Sequence, residues 1–222
     1  MASRAMIVAA GGAATRFGGE KLLAEVAGRP LIAHTLEAVA PTADVTVVAA
    51  RAGLESRVES LGFDVIVTTG GATRTLSELA ALTALGREVD LIGAHDAARP
   101  LVKASLIETL FATAERLGGA VPALGPRAPL VGRRRLESVV GAVRAQTPQV
   151  FRGPDLLAAY VRAAKAGFDG HDTADVIQRF SNLDIACVEG DPDNIKVTYP
   201  EDLETVRSRL IAPTPPSPQE AA

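Results

Sequence analysis

Two cationic side chains stand five positions apart behind a pair of glycines, in the run Met6-Ile7-Val8-Ala9-Ala10-Gly11-Gly12-Ala13-Ala14-Thr15-Arg16-Phe17-Gly18-Gly19-Glu20-Lys21. The apolar stretch stops at Gly11-Gly12, and small residues follow. Small residues let backbone N–H groups approach a ligand closely. Consecutive N–H groups in a turn form a concave anion site. Ala10, Gly11, Gly12 and Ala13 would supply that backbone, and Arg16 and Lys21 would hold phosphate oxygens. The chemistry indicated is triphosphate binding; the alternative is a Gly-rich strand-to-helix turn with solvated charges. The run is not a P-loop, because Leu22 follows Lys21 where Ser or Thr is required. Nor does it supply the G-x-G-x-x-G of a dinucleotide site.

Three further groups carry chemistry. In His95-Asp96-Ala97-Ala98-Arg99-Pro100 an acid closes an apolar strand. An Asp there, beside a triphosphate loop, is placed to ligand Mg²⁺, or else to cap a turn. The small side chain of Ala97 leaves room for a ribose. Gly70-Gly71-Ala72-Thr73-Arg74-Thr75-Leu76-Ser77 is a second Gly-rich turn opening a helix. Its N–H groups and the Ser77 hydroxyl could read polar edges of a base, while Thr73 caps the helix. Lys196 alternates with Ile195 and Val197, so it points away from the face they pack, into a cleft or into solvent. No Ser or Cys nucleophile context and no Cys/His metal spacing is present.

The elements that must position these groups follow a regular rhythm. Strands are expected at Ala5–Ala10, Val45–Ala50, Val65–Thr69, Leu91–His95, Gly119–Ala123 and Ile185–Glu189. Helices are expected at Pro30–Val39, Leu54–Leu61, Thr73–Leu85, Ala104–Leu117, Pro154–Ala166, Ala174–Phe180 and Pro200–Leu210. Alternation of this kind predicts an α/β fold, a Rossmann-like, mostly parallel sheet with helices on both faces. Ligands bind at the carboxyl ends of such strands, where both the first loop and the turn after His95 fall. The segment Pro122–Ala145 breaks the rhythm and reads as a protruding two-stranded β-arm. An isolated hairpin is unstable alone, so a second subunit is the expected support. The expected organisation is one domain over 1–211 and a disordered Pro-rich tail over 212–222.

Composition agrees with a soluble globular chain: 222 residues, 47% hydrophobic, formal net charge −3. No basic face dominates, so nucleic-acid binding is not expected, and no stretch approaches a membrane span. The single Cys187 excludes an internal disulfide framework and fits a cytoplasmic protein.

Taken in order, G-G-x-x-T-R-F-G-x-x-K, G-G-x-x-R-x-x-S, H-D-A-A-R-P, Q-T-P-Q-x-F and D-N-I-K-V-T-x-P-E-D-L resemble the 2-C-methyl-D-erythritol 4-phosphate cytidylyltransferase family. The likeness runs from about Ala5 to Leu210 and extends to ribitol-5-phosphate cytidylyltransferases. It implies Mg²⁺-dependent transfer of CMP from CTP to a polyol phosphate, with release of pyrophosphate in the isoprenoid precursor pathway. It also implies a homodimer with interlocking arms. By position, Arg16, Lys21 and Lys196 would act on the reacting phosphates and Asp96 would bind Mg²⁺. Gly71 and Ser77 would read cytosine, and Ala97 would border the ribose. Arg99, Arg135, Thr173 and Asp175 would hold the acceptor. The rival readings are a nucleotidyltransferase with another acceptor (ribitol 5-phosphate, a phosphonate or a cofactor) and a non-catalytic nucleotide-binding paralogue.

The acceptor side departs from the family pattern. The family's P-V-x-D-T-[IL]-K is Pro122-Ala123-Leu124-Gly125-Pro126-Arg127 here, and Val139 stands where the family has a phosphate-binding Arg. Arg127, Arg133, Arg134 and Arg135 are the arm's candidates to replace it. The family's T-D-[DE]-A is Thr173-Ala174-Asp175-Val176, and Ala72 replaces the acid that often follows Gly-Gly. The nucleotide side is the better kept.

Overall fold

A computed structural model describes residues 2–12, 16–125 and 143–211. The strands are β1 (Arg4–Ala10), β2 (Glu25–Val26), β3 (Arg29–Pro30), β4 (Val45–Ala50), β5 (Ile66–Thr69), β6 (Leu91–Asp96), β7 (Gly119–Leu124), β8 (Arg144–Ala145), β9 (Gln149–Arg152) and β10 (Ala186–Glu189). The α-helices are α1 (Leu31–Val39), α2 (Glu55–Glu59), α3 (Arg74–Ala84), α4 (Ala104–Leu117), α5 (Gly153–Lys165), α6 (Thr173–Phe180) and α7 (Asp202–Ile211). The main sheet has eight strands in the order β10-β7-β9-β6-β1-β4-β5, with β8 added beside β7. Pairings β1–β4, β1–β6, β4–β5 and β7–β10 are parallel. Strand β9 runs antiparallel between β6 and β7.

Alternation along β1 explains the layers. Met6, Val8 and Ala10 face one core, with Leu36 of α1, Phe111 of α4 and Val206 of α7. Ala5 and Ile7 face the other, with Leu82 of α3, Tyr160 of α5 and Ile177 of α6. A period of two, apolar on both faces, is what a central parallel strand requires.

Helix starts are set locally. The Thr73 hydroxyl accepts from Leu76 N–H at 3.2 Å, which satisfies one of the free donors at the start of α3. Asp172 accepts from Asp175 N–H at 2.9 Å, while the Asp175 carboxylate accepts from His171 N–H at 3.0 Å. This reciprocal pair caps α6. Helix α7 begins at Asp202 rather than Pro200 because the Asp202 carboxylate turns back to Thr198 and Tyr199 N–H at 2.7 and 2.8 Å.

One feature differs from the sequence expectation, and another, the base of the two-stranded arm, agrees with it. The short strand β9 lies in the Q-T-P-Q-x-F motif, where no strand is expected, and Gln149, Val150 and Phe151 are buried. The 122–145 excursion has its two ends paired, Ala123 with Ala145 and Leu124 with Arg144. Its interior over 126–142, with Arg127, Arg133, Arg134, Arg135 and Val139, lies outside the described residues. So do Ala13 and the 212–222 tail.

Candidate active site

The two Gly-rich turns meet at Ser77. A Cβ on Gly11 would sit 2.8 Å from Ser77 Oγ, and one on Gly71 would sit 2.4 Å from Leu76 Cβ. Neither contact leaves room for a side chain. The Ser77 hydroxyl lies 2.8 Å from the Thr73 carbonyl and 3.1 Å from the Gly71 carbonyl. It thus ties the second turn to α3, with its side chain against the first turn. Nothing lies within 4 Å of a Cβ on Gly12, so that residue's backbone faces open space. Together the turns border a cavity of about 260 Å³ lined also by Lys21, Arg74, Asp96, Ala97 and Lys196.

Asp96, at the carboxyl end of β6, is the cavity's acidic centre. Its Oδ1 accepts from Arg74 Nη1 at 2.8 Å, and its Oδ2 lies 3.1 Å from both Arg99 Nε and Lys196 Nζ. Burial alone would raise this carboxyl, but Arg74, Lys196 and Arg99 outweigh it and hold it well below the usual carboxylate range. Asp96 is therefore ionised at neutral pH.

A hydrogen-bonded layer beneath Asp96 fixes the strand end. Asp96 N–H donates to Thr147 Oγ1 at 3.1 Å, and Thr147 Oγ1 lies 3.1 Å from His95 Nδ1. His95 Nε2 lies 3.1 Å from the Arg99 carbonyl. A carbonyl only accepts, so Nε2 carries the proton and Nδ1 accepts from Thr147. Burial pushes the His95 pKa down to about 4, which keeps the ring neutral. Asn194 closes the layer: its side-chain amide donates to the Thr147 carbonyl at 2.8 Å, and its carbonyl accepts from Arg99 Nη1 at 2.8 Å.

Lys21 and Lys196 face the cavity from opposite ends of the sequence. Lys21 Nζ donates to the Val197 carbonyl at 2.8 Å, so the first loop is bonded directly to the D-N-I-K-V-T segment. Burial and then the Lys196 charge lower the Lys21 pKa, against an opposing pull from Asp96. Two ammonium groups held in one cleft repel, and an incoming polyanion relieves that repulsion. Arg16 is exposed, with its guanidinium 5.9 Å from the Tyr199 ring centroid, at the distance of a weak cation–π contact.

A second cavity of about 560 Å³ adjoins the first and is lined by Arg99, Arg144, Asn194, Lys196, Asp202 and Arg209 among others. Lys196 lines both cavities and so stands at their junction. Its side chain is 38% exposed, free enough to change partners.

Among the sequence candidates, Ala10, Gly11, Gly12, Lys21, Gly71, Ser77, Asp96, Ala97 and Lys196 share the first cavity. Arg99 lines the second. Thr173 is fully buried with its hydroxyl turned to Glu78, at 3.3 Å from Oε2, and Asp175 is engaged in capping α6. Arg135 and Ala13 lie outside the described residues. Arg74, Thr147 and Asn194 were not among the candidates. All three stand inside the motifs above, at Arg of G-G-x-x-R-x-x-S, Thr of Q-T-P-Q-x-F and Asn of D-N-I-K-V-T-x-P-E-D-L.

Asp96 is the acid lining the first cavity, and among the described residues no group of three His, Cys, Asp or Glu side chains could hold a metal alone. A single ionised carboxylate still fits Mg²⁺, which is commonly held by one or two carboxylates together with substrate phosphates.

Comparison with known proteins gives one consistent answer. The sequence model of the family described as "IspD: 2-C-methyl-D-erythritol 4-phosphate cytidylyltransferase" matches residues 4–210. A Cereibacter sphaeroides protein named 2-C-methyl-D-erythritol 4-phosphate cytidylyltransferase is 40% identical over 227 residues, covering 96% of this chain and 98% of that one. A Rhodobacter capsulatus protein named bifunctional enzyme IspD/IspF is 38% identical over 93% of this chain, which spans 55% of that relative's length. The solved structure of 2-C-methyl-D-erythritol 4-phosphate cytidylyltransferase from Thermus thermophilus superposes with a TM-score of 0.79 at 29% identity, covering 96% of this chain and all 100% of that one.

Proposed function

The chain belongs to the 2-C-methyl-D-erythritol 4-phosphate cytidylyltransferase family, and from that premise we propose how its two cavities carry the reaction. It is a CTP-dependent nucleotidyltransferase that acts on methylerythritol phosphate in isoprenoid precursor synthesis. CTP occupies the first cavity, with its base at the Gly70-Gly71 turn and Ser77, its ribose beside Ala97, and its phosphates between Gly11-Gly12, Lys21 and Arg16. The polyol phosphate occupies the second cavity, with its phosphate towards Arg99 and Arg144. The observation that carries this reading is Lys196, which lines both cavities.

An acceptor phosphate oxygen attacks the α-phosphorus of CTP. A new P–O bond forms there as the bond to the β-phosphate oxygen breaks, and pyrophosphate leaves with the electron pair. The nucleophile is already an anion, so no protein base is needed. The work is to align two polyanions and to screen them. Lys196 meets the acceptor phosphate and the α-phosphate together. Lys21, fixed by the Val197 carbonyl, and Arg16 stabilise charge that grows on the phosphoryl oxygens. Asp96 would hold Mg²⁺, which supplies Lewis-acid screening of the triphosphate. Asp96 keeps Arg74 and Arg99 as partners, so Lys196 can leave its 3.1 Å ion pair for the phosphates without stripping the carboxylate of cations.

The 122–145 arm, paired at its base as Ala123–Ala145 and Leu124–Arg144, supports a homodimer, and arm arginines including Arg135 complete the acceptor site. Among the described residues no helix is long and apolar enough to cross a membrane, and a cytoplasmic location is part of the proposal.

Pyrophosphate release from CTP against a panel of polyol phosphates tests the whole reading. Turnover should be greatest with 2-C-methyl-D-erythritol 4-phosphate. Faster turnover with ribitol 5-phosphate would reassign the acceptor.

A further inference from the structure

Helix α3 carries a charge where its packing calls for an apolar residue. Its buried positions are Thr75, Ser77, Glu78, Ala81 and Leu82, and Glu78 is 1% exposed. A buried carboxylate is costly unless it is paired and hydrogen-bonded. Glu78 has partners on every side. The Tyr160 hydroxyl of α5 donates to Oε2. The Thr173 hydroxyl of α6 lies 3.3 Å from Oε2 and 3.5 Å from Oε1. Arg74 Nη2 lies 2.9 Å from Oε1. Glu78, Tyr160 and Thr173 stand behind the nucleotide cavity rather than on its lining.

Arg74 connects this cluster to the cleft. One guanidinium spans two carboxylates: Nη2 faces Glu78 and Nη1 donates to Asp96 at 2.8 Å. The Nε atom is buried without a hydrogen-bond partner, and Nη2 meets Glu78 as an ion pair without hydrogen-bond alignment. The two carboxylates therefore fix where the guanidinium sits. Burial raises the Glu78 carboxyl above its ordinary range, and Arg74 opposes that rise without reversing it; the 2.9 Å contact with Nη2 is what ties Glu78 to the guanidinium.

We propose that Glu78 is a positioning residue for the nucleotide cavity, acting through Arg74 to set the direction and charge balance of the Asp96 carboxylate. Three cations surround Asp96. Glu78 takes a share of one of them. Without its charge, Arg74 turns wholly on Asp96, which becomes over-neutralised and less able to hold a further cation. The inference rests on the cytidylyltransferase reading of the cleft.

Glu78→Gln keeps the shape and the acceptor for Tyr160 while removing the charge. Its kcat should fall roughly 10-fold to 100-fold, the scale for losing a group that orients a ligand. CTP affinity measured by calorimetry without added divalent cation should stay within about twofold, because the loop cations and backbone that bind the triphosphate are untouched. Arg74→Gln leaves Asp96 unaimed and short of one cation and should also lower kcat, and in its background Glu78→Gln should cause no further loss, since Glu78 acts only through Arg74. Tyr160→Phe, which removes one donor to Glu78, should lower kcat less and in the same direction. Wild-type kcat in folded Glu78→Gln, or single losses that multiply in the double variant, would overturn the proposal. If Glu78→Gln does not give a cooperative thermal transition, Tyr160→Phe decides, and wild-type kcat there overturns it. An inactive wild type sinks the functional reading instead; an active wild type with an equally active Glu78→Gln sinks only the positioning.

Discussion

Lys21 donates a 2.8 Å hydrogen bond to the carbonyl of Val197, which lies 176 residues further along the chain. One bond therefore joins the first Gly-rich loop to the segment that carries Lys196. The pair brings two cations into one cleft and gives the loop a fixed end before any ligand enters.

Lys21→Ala should lower kcat by roughly 10²-fold to 10³-fold, the scale for one preorganised group that stabilises developing charge. Arg16→Ala should fall in the same range. CTP KM should change less, because the Gly11-Gly12 backbone and Asp96 remain. Steady-state pyrophosphate release measures both constants. Near wild-type kcat for Lys21→Ala would show that the loop is only a turn.

Ser77 binds its own turn, through the Thr73 and Gly71 carbonyls at 2.8 and 3.1 Å. Ser77→Ala should loosen the pocket for the base and weaken discrimination between CTP and other nucleotides by about 10-fold, the loss of one or two polar contacts. The wild type should prefer CTP over ATP, GTP and UTP. Equal kcat/KM for CTP and ATP in the wild type would move the base site elsewhere.

Arg144 lines the second cavity without touching Asp96. Arg144→Ala should raise the acceptor KM at least about 10-fold at saturating CTP and leave the CTP KM unchanged, the signature of lost ground-state binding. Arg99→Ala should lower kcat as well, because Arg99 also pairs with Asp96 at 3.1 Å. An unchanged acceptor KM in Arg144→Ala would place the phosphate elsewhere.

Acid should destabilise the fold through His95. Its pKa is pushed down from 6.5 to about 4 by burial. Between those values the unfolded chain binds a proton that the folded chain does not, so stability falls as pH drops from about 6.5 to about 4. The loss from this group is on the order of 3 kcal/mol. Asp96 adds its own loss only at lower pH, since its folded carboxyl titrates well below the usual range. Urea unfolding at pH 7.5 and pH 4.5 should show the difference, and His95→Gln should flatten it. An equal slope in that variant would assign the acid sensitivity to another group.

Much of the fold was legible because β1, β4 and β6 are apolar on both faces and their ends coincide with glycine or acid punctuation. The cleft was legible where a residue type is tied to its chemistry, as with Lys21, Asp96 and Lys196. Strand β9 escaped because Gln149 looks polar, yet its side chain is buried, donating to Asp172 at 3.0 Å and accepting from Ala174 N–H at 2.7 Å. Glu78 escaped for a different reason. Its signal was present, an acid on the stripe shared with Ala81 and Leu82, but its partners Tyr160 and Thr173 sit on two later helices that only the fold brings together. Thr173 carried an expected acceptor role, and its place beside Glu78 depends on the packing of α6 against α5, which no local pattern announces.

Strand β1 has β4 on one edge and β6 on the other, with a core on each face. Its amide hydrogens can therefore exchange with solvent deuterium only when the whole sheet opens, so their protection reports global stability. The Phe17–Glu20 stretch has no such cover, and its exchange should slow when a nucleotide is bound. One exchange experiment on one chain would thus separate ligand occupancy from folding, each read from residues less than one loop apart.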